Sequence, residues 1–199
     1  MKRKFLLAVL AAVSAIFVPL AATSQVAPDR PARPEKAGPS YKWKAFAGFG
    51  YTNLNQVEQS ENGLMGVNVA VTRNFGKYFG LTADGGYYAY TYNRANPGNP
   101  KVDMVLLGPE FHGNLTDHLE AFVHVLLGGE HTSGGSTIPK VSLAGGAGGG
   151  LEYKLSQRFG MRLSGDDIAS SFVQDPGHLG YSPHLRRNAR VGLGVVYKF

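Results

Sequence analysis

The six histidines, His112, His118, His124, His131, His178 and His184, are the residues best suited to acid–base or metal chemistry. An acyl-transferring or lipid-deacylating site would set one of them beside a serine or an aspartate. His131, His178 and His184 have Ser133, Ser136, Ser171 and Ser182 near them in the chain, yet no catalytic motif surrounds any of these positions. His178 and His184 are six residues apart without a third ligand, which is too little for a metal site. The run Gly145 to Gly150 lacks the lysine and helix that follow a phosphate loop. No catalytic residue, metal or cofactor is expected, and the chain reads as a non-enzyme. Cysteine is absent, which excludes disulfides, thiolate metal sites and acylation on an N-terminal cysteine.

The chemistry that remains is ionic, and its position depends on the elements that carry it. Lys2, Arg3 and Lys4 precede an apolar run from Phe5 to Val18, then Pro19 and the small residues Ala21, Ala22, Thr23 and Ser24. This is the layout of a secretory signal peptide over residues 1–24, with cleavage after Ser24, and the run is shorter than a spanning helix needs. Cleavage removes three of the formal +6 charges and leaves +3, so a nucleic-acid partner is not expected. Residues 25–40 hold Pro28, Pro31, Pro34 and Pro39 without a hydrophobic period and read as an extended linker.

From Tyr41 to Phe199 the chain alternates apolar and small or polar residues with a period of two, cut by turn signals. Strands are expected at Lys42 to Thr52, Leu64 to Arg73, Tyr78 to Tyr92, Val102 to His112, His118 to His131, Lys140 to Leu155, Phe159 to Ser170 and Val191 to Phe199. The second, fourth and sixth connections are tight and the others open. That pattern predicts an all-β, eight-stranded antiparallel up-and-down transmembrane barrel over residues 41–199, with both ends on the side of the tight turns. One face of the last strand carries Val191, Leu193, Val195, Tyr197 and Phe199.

Across the strands the other face carries Asp84, Glu110, Glu120, Glu152, Lys154, Arg162, Asp166, Arg190 and Lys198. These are too many charges for a dry ligand pocket, so they are placed in the lumen, with the apolar face toward lipid. Trp43, Phe79, Phe159 and Phe199 at one end and Tyr51 and Tyr87 at the other fit the two membrane interfaces. Glu110 and Glu120 lie equally far from Leu115, which predicts that they face each other across their hairpin. Arg162 or Arg190 is expected to bridge them.

With the GGGLEYKLS run at Gly148 to Ser156, the RLSGD at Arg162 to Asp166 and the terminal VGLGVVYKF, the chain resembles the outer-membrane protein β-barrel domain family. These are small eight-stranded barrels like the transmembrane domain of outer membrane protein A. The resemblance implies a place in the outer membrane of a Gram-negative-type bacterium, with periplasmic termini. It also implies that the barrel-assembly machinery reads the last strand. The chain ends at the barrel, so the wall-anchoring role of a following peptidoglycan-binding domain is not carried over. The function expected is structural or surface-interacting, with a lumen closed by charged side chains. The alternatives are a narrow porin-like pore and an outer-membrane lipid-modifying enzyme. Nothing in the loops names a surface partner.

Overall fold

The computed structural model describes residues 41–54, 62–91, 101–133, 140–171 and 185–199. The signal peptide, the proline-rich linker, His178, His184, Ser136 and Ser182 lie outside these residues. Eight strands, β1 (Trp43–Leu54), β2 (Asn62–Asn74), β3 (Phe79–Thr91), β4 (Lys101–Asn114), β5 (Leu119–Ser133), β6 (Lys140–Lys154), β7 (Phe159–Ser171) and β8 (Leu185–Lys198), pair in chain order. β1 pairs antiparallel with β8, which closes the barrel and leaves no edge.

Three short turns are built alike. In each, a backbone amide reaches the carbonyl four residues on: Phe75 to Phe79 at 3.0 Å, Leu115 to Leu119 at 2.8 Å and Leu155 to Phe159 at 2.9 Å. In the last two a hydroxyl completes the turn. Thr116 Oγ1 accepts from the amides of His118 and Leu119, and Ser156 Oγ from those of Arg158 and Phe159. This capture fixes the β4–β5 register, and it corrects the sequence-based expectation. The hairpin is centred on Asp117, two residues beyond Leu115, so Glu110 lies opposite His124 and Glu120 opposite Asn114. β8 also starts six residues earlier than expected, at Leu185, and takes in residues assigned from sequence to a loop.

Glycine is required where strands approach closely. A Cβ on Gly66 would stand 1.9 Å from the Tyr87 carbonyl oxygen, beside the register shift between Met65 and Gly66. At the closing seam, a Cβ on Gly194 would meet the Ala47 carbonyl oxygen at 2.3 Å.

The apolar face points outward. Phe49 is 78% exposed, Val105 72% and Leu143 79%, and Val191, Leu193, Val195, Tyr197 and Phe199 share that wall. A barrel in water would hide these side chains, whereas one in lipid turns them out. Leu193→Arg should therefore cost about 2 to 4 kcal/mol in a bilayer. Gly192→Ser, whose Cβ would stand 2.9 Å from the Ser164 hydroxyl and 3.5 Å or more from Asn68 Oδ1 and the Phe49 carbonyl oxygen, should be mild. Urea unfolding of the two variants in lipid vesicles measures the difference, and equal effects would refute the assigned facing.

Candidate functional site

The lumen side chains are stacked in layers. The layer nearest the short turns takes one residue from each strand: Lys44, Thr72, Thr82, Glu110, Glu120, Glu152, Arg162 and Lys198, all buried. Its charges form a closed cycle of alternating sign. Lys44 Nζ meets Glu110 at 2.8 Å and Glu120 at 3.3 Å, and Arg162 meets Glu110 at 3.5 Å and Glu152 at 3.2 Å. Lys198 joins Glu152 to Glu120, the latter at 3.7 Å. Glu110 Oε2, the oxygen that meets Arg162, also accepts from the Thr82 hydroxyl at 3.1 Å, and Thr82 in turn is 2.8 Å from Thr72. Arg162 also lies over the Phe122 ring, 4.2 Å from its centroid, and 5.7 Å from that of Phe46.

This geometry corrects the bridge expected from sequence. The residue holding Glu110 and Glu120 together is Lys44, a cation outside the nine charges named from sequence. Arg162 does hold two carboxylates, but they are Glu110 and Glu152. The carboxylates directly opposite each other on neighbouring strands are Glu120 and Glu152, and on the closing seam Lys44 faces Lys198. Like charges so placed repel, and the cations reach across the lumen to separate them. Lys154 is half-buried at the rim, where its ammonium meets Asn114 Oδ1 at 2.5 Å and Glu120 at 3.8 Å. Tyr41, just ahead of β1, covers the cycle from below: its hydroxyl donates to Glu120 at 3.1 Å and its ring centroid is 4.7 Å from Lys198 Nζ. Burial, with the Glu120 charge, holds its phenol well above the usual range, so it stays a donor.

A second layer is organised by Arg190, which meets Asp84 at 2.6 Å and Asp166 at 2.7 Å. His124 Nε2 is 2.8 Å from Asp166, and Asn68 donates to Asp84 at 2.9 Å. Asp84, Glu110, Glu120, Glu152, Arg162, Asp166, Arg190 and Lys198 are thus all buried and ion-paired. Toward the long connections lies a layer that sequence reasoning missed. Leu64, Tyr88, Val102, Met104, Leu106, Leu126, Ala144 and Ile168 form one buried apolar cluster inside the barrel. Its signal is in the sequence, because these residues share parity with the charges.

On the outer wall at the same end, His131 meets Asp103 at 3.4 Å, and Arg187 pairs with Asp167. No group of three potential metal ligands occurs among the described residues.

No protein-family model matches the chain, and no curated protein matches its sequence. Solved structures do match. Neisserial surface protein A is 13% identical with a TM-score of 0.64, over 79% of this chain and 97% of that one. Ail of Yersinia pestis, solved with the heparin analogue sucrose octasulfate, is 13% identical with a TM-score of 0.54, over 79% and 97%. The outer membrane protein OprG of Pseudomonas aeruginosa is 12% identical with a TM-score of 0.50, over 82% and 98%. The chain has the fold of these small eight-stranded barrels.

Because each cation in the cycle contacts two buried carboxylates and balances one negative charge, removing one strands a charge, which costs about 3 to 5 kcal/mol. Arg162→Ala should lower barrel stability by that order, and Glu152→Gln beside it should restore part of the loss. Urea midpoints of the single and double variants test this, and unchanged midpoints would show that Arg162 holds nothing.

Proposed function

We propose that this is an outer-membrane barrel with a closed lumen, serving a structural or surface-interaction role. Its short turns, Trp43 and Phe199 lie at the periplasmic side and its long connections face outward. The outward apolar wall and the shared fold with outer-membrane barrels support the location. The observation that carries the closed lumen is the buried apolar layer, since a narrow hydrophobic constriction excludes water and ions by dewetting. The ionic cycle beneath it adds a second obstruction by tying β1, β7 and β8 across the lumen to β4, β5 and β6.

The chain is proposed to be no enzyme: the His124–Asp166 pair is buried within the lumen, away from any substrate, and no catalytic motif surrounds His131. Val191, Leu193, Val195, Tyr197 and Phe199 are proposed as the segment read by the barrel-assembly machinery, and all five stand exposed on one wall. Phe199 exchanges two backbone hydrogen bonds with Trp43, of 2.9 and 3.0 Å, so it also completes the seam.

The refolded barrel should be silent in a planar bilayer, and a steady conductance would overturn the closed lumen. Deleting Phe199 should leave export intact but slow insertion, so that unfolded protein accumulates in the periplasm. A normal heat-modifiable band in membranes of the deletion strain would refute the assembly role.

A further inference from the structure

At the short-turn end of the outer wall, Arg73 is the direct cross-strand partner of Trp43. Its guanidinium carbon is 5.4 Å from the Trp43 ring centroid and 5.1 Å from that of Phe75. Aromatic contact continues sideways from Phe75 to Phe79, at 6.1 Å between centroids, and on to Phe111 at 5.4 Å. Arg73, Trp43 and Phe75 are all exposed, and among the described residues no carboxylate pairs with Arg73. Exposed Lys42 adjoins Trp43, and Lys77 lies in the following turn with its ammonium 5.1 Å from the Tyr78 ring centroid.

Two rings thus hold the guanidinium in place by cation–π contact while leaving its N–H fork open. Aromatic side chains at a barrel end sit at the level of lipid headgroups, where the matching acceptor is a phosphate.

We infer that Arg73, clamped by Trp43 and Phe75, binds the phosphate of a phospholipid in the periplasmic leaflet and favours a headgroup of net negative charge. The inference rests on the outer-membrane placement proposed above. The guanidinium donates to the phosphate oxygens, and its own charge, with exposed Lys42 beside Trp43, favours the anionic lipid.

Trp43 is the single tryptophan of the chain, so its emission reports on this site. The full barrel is refolded into vesicles of equal parts phosphatidylcholine and phosphatidylglycerol, with one or the other lipid brominated near the headgroup. Brominated phosphatidylglycerol should quench Trp43 as though enriched roughly fivefold over phosphatidylcholine. Arg73→Gln should bring the two lipids near parity while both still quench, and Arg73→Lys should keep part of the preference. Parity in the unmodified barrel, or an undiminished preference in Arg73→Gln, would overturn the site. Quenching by neither lipid would instead overturn the membrane placement, and the site with it. Replacing chloride with inorganic phosphate at constant ionic strength should leave the enrichment intact. Its disappearance would show a site for free phosphate and overturn the lipid assignment.

Discussion

The ionic cycle of Lys44, Glu110, Arg162, Glu152, Lys198 and Glu120 is the constraint on which the inner half of the barrel depends. A lumen of eight strands is just filled by side chains, so its charges have little water to fall back on. Three carboxylates and three cations meet there, and each contacts two of the opposite sign. The like pairs side by side, Lys44 with Lys198 and Glu120 with Glu152, drive the contacts across the lumen. Such a cycle is weak evidence for stability relative to an apolar core, because desolvation offsets much of the attraction. What it does is make each member depend on its neighbours, and Thr82 and Tyr41 add hydrogen bonds to Glu110 and Glu120, with Thr72 bonded to Thr82.

The two faces of the sheet answer to different solvents. Outside, apolar side chains from Phe49 to Leu193 stand exposed, while the pairs of His131 with Asp103 and Arg187 with Asp167 lie toward the ends bearing the long connections. At the opposite end Arg73, Trp43, Phe75 and Phe79 combine charge with aromatic surface. Inside, the order from the short turns outward is ionic cycle, Arg190 cluster, apolar layer. Structural neighbours share the barrel at 12 to 13% identity. Strand alternation and turn spacing suffice for the architecture, so the lumen and loop residues are free to differ.

Much of this was legible in the chain itself. A period of two places Leu193 and Gly192 on opposite faces whatever the neighbouring strand is. Eight alternating segments with every second connection tight imply one closed antiparallel barrel, which is the topology observed. Parity alone also put Asp84, Glu110, Glu120, Glu152, Arg162, Asp166, Arg190 and Lys198 inward, where they are buried. Lys44, Met104 and Leu106 have the same parity, so the further cation and the apolar layer are also written in the alternation.

Register and partnership were not legible. Thr116 moved the β4–β5 hairpin centre by two residues, a shift that keeps every side chain on its face and so leaves no trace in the alternation. Which inward charges meet depends on how strands tilt and stagger around the closed barrel, and that stagger is a property of all eight pairings together. Lys44 therefore reaches Glu110, 66 residues away, and Arg190 reaches Asp84, 106 residues away. The sequence determined which face each side chain takes, because facing is set by the backbone one residue at a time. Only the closed sheet decided which side chains touch across it.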